Sequence, residues 1–157
     1  MKTLIAYATK CGTSETASKM IDEKLEEKAK IVNLEKEKIG SLEEFDFVLI
    51  GGSIYMGRVQ GAVKKFLKKN EKALLRKRVG LFLACGEPEK FEDYFNAFLS
   101  EKIFKHAEIL TSIGFAYYIE KMGPLSRKIV VDMVKIEKTV EDYREKEIDR
   151  IAKIING

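Results

Sequence analysis

The chain has little of several residue types on which whole classes of function depend. Its 157 residues include only two cysteines, Cys11 and Cys85, and a single histidine, His106. The cysteines form neither a CxxC pair nor a disulfide framework, and with one histidine they leave too few ligands for a zinc site. We expect each cysteine to be a small buried residue; a catalytic thiol is the alternative.

Proline, linker sequence and long hydrophobic runs are also scarce. There are two prolines in the whole chain, and no Gly/Ser-rich stretch, internal repeat or low-complexity tract. We therefore expect one domain over residues 1–157. No run approaches membrane-spanning length, and the N-terminus lacks the pattern of a signal peptide, so the expected location is cytoplasmic.

Basic residues slightly outnumber acidic ones, and the formal net charge is +4. Basic residues are concentrated at positions 64–78, where only Glu71 opposes them. This run is either a solvated helix face or a docking surface for an acidic redox partner or an anionic membrane. It lacks interleaved aromatic residues, so nucleic-acid binding is not expected.

Apolar segments alternate with amphipathic ones along the chain. Unbroken apolar runs indicate strands buried on both faces, and stripes at helical spacing indicate helices between them. This pattern predicts an α/β fold with a doubly wound parallel sheet and helices on both faces. The predicted strands are 3–8, 30–34, 45–50, 79–84 and 109–117; the predicted helices are 14–27, 61–69, 91–98, 124–136 and 141–155.

A hydroxyl-rich turn follows the first predicted strand. Thr9, Thr13 and Ser14 offer hydroxyl groups, Gly12 permits close approach of the backbone, and the next helix contributes free N–H groups. These features predict a phosphate-binding turn. The alternative is an ordinary helix cap.

Two further glycine-containing segments follow predicted strands, at 51–57 and 84–88. The carboxyl ends of parallel strands share one edge of a sheet, so all three segments are expected around one site. Small residues let backbone pack against a flat ring. Together the segments favour a phosphorylated aromatic cofactor.

Other phosphate-binding folds fail on specific residues. Neither GxxxxGK[ST] nor GxGxxG follows the first strand. A cysteine phosphatase with this turn would need arginine where Ala17 stands, and a phospho-acceptor domain would need aspartate near Gly51, Gly52 and Ser53.

The turn Thr9-Lys10-Cys11-Gly12-Thr13-Ser14 resembles the flavodoxin signature Thr/Ser-x-Thr-Gly-x-Thr, with Cys11 in place of a hydroxyl residue. The resemblance covers nearly the whole chain. It implies a flavodoxin-like five-stranded sheet of order 2-1-3-4-5 and FMN as cofactor. The implied FMN contacts are Thr9, Lys10, Cys11, Gly12, Thr13 and Ser14 for the phosphate, Ser53, Ile54, Tyr55, Met56 and Gly57 for one face of the ring, and Ala84, Cys85, Gly86 and Glu87 for its other edge.

Within that family, the chain is most similar to the menaquinone-dependent protoporphyrinogen oxidase branch. The turn Gly52-Ser53-Ile54-Tyr55-Met56-Gly57 with its basic helix, and the extra helical segment 124–136, carry this likeness. It implies electron transfer to a quinone or a partner protein, by an enzyme or by a carrier. An enzyme would also need a pocket over the ring, and residues 117–135 are the expected wall of that pocket. A flavodoxin-like interaction module without flavin remains the third alternative.

Aromatic and basic residues suggest how a flavin ring would be held. Tyr55 is the candidate for one face, and Phe91 or Tyr94 for the other, with Tyr117 and Tyr118 as further candidates. Lys10 and Arg58 lie in the expected rim loops. A cation there stabilises an anionic reduced flavin and raises its potential.

Overall fold

Five apolar segments form a parallel sheet in the computed structural model, which describes residues 1–157. The strand order 2-1-3-4-5, with strands numbered along the chain, confirms the prediction. Each strand is short and mostly buried, as expected when helices cover both faces of a parallel sheet. The strands are β1 (Thr3–Tyr7), β2 (Lys30–Asn33), β3 (Phe47–Ser53), β4 (Arg78–Ala84) and β5 (Ile109–Ser112).

Helices flank the sheet, and alternate strand residues divide the core into two layers. Leu4 and Ala6 pack on the side of the helices at 61–74 and 91–98, whereas Ile5 packs on the side of the helices at 13–23 and 145–156. No helix is both long and apolar enough to cross a membrane. The helices are α1 (Thr13–Glu23), α2 (Gly61–Leu74), α3 (Phe91–Phe98), α4 (Glu101–His106), α5 (Pro124–Val134) and α6 (Glu145–Asn156), with short 3-10 turns at Pro88–Lys90 and Ile119–Lys121.

The predicted single strand 109–117 is wrong. After β5 the chain bends at Gly114, whose φ of +89° is left-handed. A Cβ there would lie 2.1 Å from the Asp142 carbonyl oxygen, so only glycine fits this crossing. The chain continues as β6 (Gly114–Tyr117), which pairs antiparallel with β7 (Val140–Tyr143) in a separate small sheet.

The predicted start of the last helix at residue 141 is wrong for the same reason, because those residues form β7 and the helix begins at Glu145. The additional helix predicted at 124–136 exists as α5. Together, residues 114–143 form an excursion between the sheet and the last helix, which we call the cover segment.

Several other boundaries differ from expectation. The β3 strand begins at Phe47 and runs through Ser53, because Gly51, Gly52 and Ser53 stay paired with β4. Helix α1 ends four residues early, where the Ala29 N–H donates to Asp22 Oδ1 at 2.7 Å in the turn that follows it. Helix α2 extends to Leu74, and the short helix α4 had not been predicted.

Candidate functional site

The turn between β1 and α1 presents backbone donors at the carboxyl edge of the sheet. Gly12 adopts a left-handed φ of +90°, and its N–H donates to Thr9 Oγ1 at 2.9 Å. No side chain caps α1. The first N–H groups of a helix have no intrahelical partner, so those of Thr13, Ser14 and Glu15 are available to an anion.

The hydroxyl groups of this turn differ in their partners. Ser14 Oγ is buried and has no hydrogen-bond partner. Thr9 Oγ1 accepts from Gly12 and keeps its own proton free. Thr13 Oγ1 instead donates to the Ala116 carbonyl at 3.0 Å, because β6 returns across the turn. Ser14 is therefore the hydroxyl that most needs an external acceptor.

The loop after β3 is a tight reverse turn fastened at its base. Tyr55 and Arg58 exchange backbone hydrogen bonds, and Met56 and Gly57 at the tip have positive φ. Gln60, which sequence reasoning missed, binds Ser53 twice: its Oε1 accepts from the Ser53 N–H and its Nε2 donates to Ser53 Oγ. This pairing fixes the strand end from which Tyr55 projects.

The loop after β4 is held by the neighbouring strands. The Cys85 N–H donates to the Gly114 carbonyl at 2.8 Å, and Cys85 Sγ lies 3.3 Å from Ser112 Oγ. At the loop's outer end, Glu87 is exposed and pairs with Lys90, which lowers the pKa of the Glu87 carboxyl.

Neither cysteine has the environment of a nucleophile. Burial raises the pKa of the Cys85 thiol, and burial also raises the pKa of Cys11, which is half-buried. A raised pKa disfavours the reactive thiolate. Both residues therefore act as small apolar wall residues of the site.

A narrow cavity of about 50 Å³ lies among the three loops. Thr9, Gly12, Ser14, Met56, Gly57 and Glu87 stand outside its lining, either behind the turn or at exposed loop tips. Sequence reasoning missed Phe115 and Ala116, which it assigned to the single strand 109–117. Met122 and Val130 lie within residues 117–135, the expected wall of a pocket over the ring. The lining comprises Lys10, Cys11, Thr13, Ser53, Ile54, Tyr55, Ala84, Cys85, Gly86, Phe115, Ala116, Tyr117, Met122 and Val130.

The cover segment forms the outer wall of this cavity. Tyr117 crosses the third loop so closely that a Cβ on Gly86 would lie 2.9 Å from the Tyr117 hydroxyl. Ile119, Met122 and Val130 make a small apolar cluster against Cys11. Tyr118 and Tyr143 hold the segment to the turn: their hydroxyls are 2.7 Å apart, and Tyr143 also donates to the Thr13 carbonyl.

Two tyrosines supply aromatic surface to the cavity. Tyr55 lines one wall, with Lys10 Nζ 5.5 Å from its ring centroid, and Tyr117 lines another. Phe91 and Tyr94 pack against the core instead and do not line the cavity. Tyr117 of the cover segment thus takes the position at the second face of the ring for which the sequence suggests Phe91 or Tyr94 of α3.

The donor-rich turn after β1 and the two small-residue loops after β3 and β4 thus meet at one edge of the sheet. The family model described as the flavodoxin domain matches residues 4–144. The chain belongs to the flavodoxin family. No curated protein matches the sequence.

Solved structures similar to this flavodoxin-family chain are distant in sequence. Two-electron reduced Megasphaera elsdenii flavodoxin has a TM-score of 0.59 at 17% identity, over 78% of this chain and 89% of that one. Fusobacterium nucleatum flavodoxin bound to flavin mononucleotide has a TM-score of 0.52 at 23% identity, over 69% of each chain. These likenesses concern the fold.

A larger protein, the rubredoxin oxygen:oxidoreductase of Desulfovibrio gigas, is also similar. Its TM-score is 0.55 at 13% identity, and the match covers 98% of this chain. The chain spans only 36% of that protein's length, so the match concerns one part of the larger molecule.

Proposed function

We propose that this protein binds FMN through the three loops and serves as an electron carrier between a donor and a protein acceptor. Residues 1–157 act as one FMN-binding domain. The observation that carries the proposal is the buried, unpartnered hydroxyl of Ser14 at the uncapped start of α1. A phosphate supplies the acceptor that this hydroxyl lacks.

The donor set fits a phosphate. Ser14 Oγ and the N–H groups of Thr13, Ser14 and Glu15 would hold its oxygens, while the dipole of α1 favours their negative charge. The Thr13 hydroxyl already donates to Ala116, so Thr13 contributes its N–H rather than its side chain. Lys10 adds a nearby cation.

The residues at the proposed ring site are chemically suited to a flavin ring, but the cavity is narrow. Tyr55, Tyr117 and the backbone of Ala84, Cys85 and Gly86 offer flat or small surfaces to an isoalloxazine. Pockets for molecules of this size usually measure about 300–1,000 Å³, well above the 50 Å³ of free space here. FMN bound here would therefore displace the cover segment from the third loop and from the turn of Ser14, which is fully buried outside the cavity lining.

When bound, FMN supplies the capacity to accept and release one or two electrons. The chain supplies position and electrostatics. Tyr55 and Tyr117 would orient the ring and limit its contact with water, and Lys10 would stabilise negative charge on it. Ser14 and the start of α1 would anchor the phosphate.

The test compares FMN with riboflavin, which has the ring but no phosphate. We expect the protein to retain a flavin spectrum after FMN loading and desalting. Ser14→Ala should weaken FMN binding by roughly tenfold or more, in line with a hydrogen bond to a charged group, and should leave riboflavin binding nearly unchanged.

Ser18→Ala is the matched control. Ser18 is equally buried in α1, but its hydroxyl already donates to the Ser14 carbonyl at 2.7 Å. Equal loss of FMN in both variants, or no preference for FMN over riboflavin, would contradict the phosphate assignment. A protein that retains no flavin leaves only the flavodoxin-like interaction module.

The apolar cover favours a second candidate, an FMN-dependent dehydrogenase of the menaquinone-dependent protoporphyrinogen oxidase branch. Phe115, Met122 and Val130 would wall a hydrophobic substrate site, which a simple carrier does not need. Steady turnover of protoporphyrinogen or another donor with a soluble quinone would support the enzyme. Transfer only to redox proteins would support the carrier.

A further inference from the structure

One face of α2 carries exposed cations that have no acidic partner. Their spacing of three and four residues aligns them along the helix, opposite the buried Val63, Phe66 and Leu67. No carboxylate lies within 4.0 Å of any of them. This α2 strip consists of Lys64, Lys65, Lys68, Lys69 and Lys72 on the helix and Arg76 just after its end, all exposed.

On α1 and α6, several cations have an acidic partner. Lys19 lies 2.8 Å from Glu15 on α1, and Lys24 at the end of α1 lies 2.7 Å from Asp149 on α6. Arg150 on α6 lies 3.1 Å from Glu147. Unpaired cations also occur on α5 and α6, but acidic residues lie among them in the sequence. The α2 strip differs because Glu71 is the one acidic residue within it.

Only the C-terminal end of the α2 strip stabilises its own helix, because Arg76 Nε donates to the Lys72 carbonyl at 3.3 Å and Lys72 lies in the last turn. Like charges four residues apart, such as Lys64 with Lys68 and Lys68 with Lys72, repel one another and weaken the helix slightly. An acidic surface bound along the strip would offset that repulsion. The strip would attract such a surface over a distance comparable with the Debye length.

The strip reaches the candidate site. Helix α2 starts at Gly61, directly after the loop that carries Tyr55, and its 14 residues run about 21 Å away from the sheet edge. Exposed Arg58 and Lys10 extend the positive charge to the rim of the cavity. A partner bound along the strip would lie beside the proposed ring site.

We propose that the α2 strip docks an acidic redox protein next to the flavin site, an inference that rests on the proposed electron-carrier function. Charge complementarity selects this partner. A membrane-bound helix would also insert apolar side chains, yet the large exposed apolar residues, Met1, Met56, Leu125, Met133 and Val134, all lie outside α2.

The experiment measures association with two acidic probes, a [2Fe–2S] ferredoxin and a rubredoxin, and with basic cytochrome c as the opposite-charge probe. The variant Lys68→Glu/Lys72→Glu reverses the middle and end of the strip. Its control, Lys146→Glu/Lys153→Glu, changes the net charge equally on α6, which lies on the other face of the sheet. Both lysines are exposed and unpaired. Lys153 matches Lys72 in lying in the last turn of its helix.

We expect the strip variant to lower the association rate of the acidic probes about tenfold at low ionic strength, and the control to lower it less than about twofold. The difference should vanish at about 1 M salt, where the Debye length is about 3 Å. Cytochrome c should bind the unmodified protein least.

Equal losses in both variants, absence of binding to both acidic probes, or strip-dependent binding only to phosphatidylglycerol-containing vesicles would each overturn the proposal. Flavin retention is recorded separately by absorbance for every variant. A protein that docks the probes but holds no flavin contradicts the proposed function alone, whereas one that holds flavin but does not dock them contradicts only this inference.

Discussion

The five-stranded sheet and the cover segment meet at the same cavity but are built differently. The central strands of the sheet place side chains such as Ile50, Leu81 and Phe82 almost wholly inside. The cover segment has a cluster of only Ile119, Met122 and Val130, and it exposes Leu125 and Met133. The rigid half of the site therefore comes from the densely packed sheet, and the less densely packed half comes from the cover.

The sheet should tolerate almost no change at Gly51. A Cβ there would lie 2.2 Å from the Phe82 ring, in a strand paired on both sides. We expect Gly51→Ala to lower the free energy of unfolding by about 3 kcal/mol or more, as overpacking at an immovable site does. Urea denaturation measures this change.

Gly61→Ala is the control for that measurement, because nothing lies within 4 Å of a Cβ at Gly61. It should be neutral or slightly stabilising at the start of α2. A Gly51→Ala protein as stable as this control would show that the sheet is as adaptable as the cover.

The cover should respond in flavin kinetics more than in stability. We expect Met122→Ala/Val130→Ala to cost less than about 2 kcal/mol in unfolding, since its small cluster can collapse, and to speed FMN association several-fold by loosening the outer wall. Stopped-flow fluorescence quenching follows the association.

The control is Leu125→Ala/Met133→Ala, which alters exposed side chains of the same segment. Its free energy of unfolding and its FMN association rate should stay near the original values. If Met122→Ala/Val130→Ala also left the FMN association rate unchanged, opening of the cover would not limit flavin entry.

Lys10 belongs to the rigid half, and it should affect the flavin through its positive charge alone. We expect Lys10→Gln to lower the FMN midpoint potential by roughly 40 mV, which corresponds to about 1 kcal/mol for one electron near a surface charge. Potentiometric titration measures the shift. Lys146→Gln on α6 removes the same charge far from the cavity, and an equal shift there would exclude a local effect.

The smallest expected effect concerns the ion pair between Arg78 and Glu108 at the opposite end of the sheet from the cavity. Arg78 donates to both Glu108 oxygens at 2.8 Å and lowers the pKa of that carboxyl. The pair stabilises the fold above the ordinary glutamate pKa of 4.5, and this contribution is lost as the pH falls through the lowered value.

Because both side chains are more than a third exposed, Glu108→Gln should cost less than about 1 kcal/mol at pH 7 and nothing in acid. Denaturation at pH 7 and at about pH 3 tests the sign. A larger loss in acid than at neutral pH would contradict it.

The predictions made from sequence succeeded where one periodicity determines one element. Continuous apolar runs predicted the five parallel strands, and the helical stripe of residues 91–98 matches α3. They failed at residues 109–117, where a single apolar run conceals a bend at Gly114, because β7 returns from a distant part of the chain to pair with β6.

For the candidate site, the sequence indicated the three loops but not which of their residues share a cavity. Tyr117 was one of four aromatic alternatives, and only the path of the cover segment places it over Gly86. Phe91 and Tyr94 stay half-buried against the core and outside the cavity. Gln60 carried no local signal, because its role depends on the end of β3 lying beside it.

The sequence by itself determined the alternation of strands and helices, the family, and the donor-rich turn after β1, because these depend on residues near one another in the chain. Tertiary structure alone decided that Thr13 donates to Ala116 while Ser14 is left without a partner, and that residues 114–143 cover the cavity. Those outcomes depend on contacts across about a hundred residues, which no local pattern specifies.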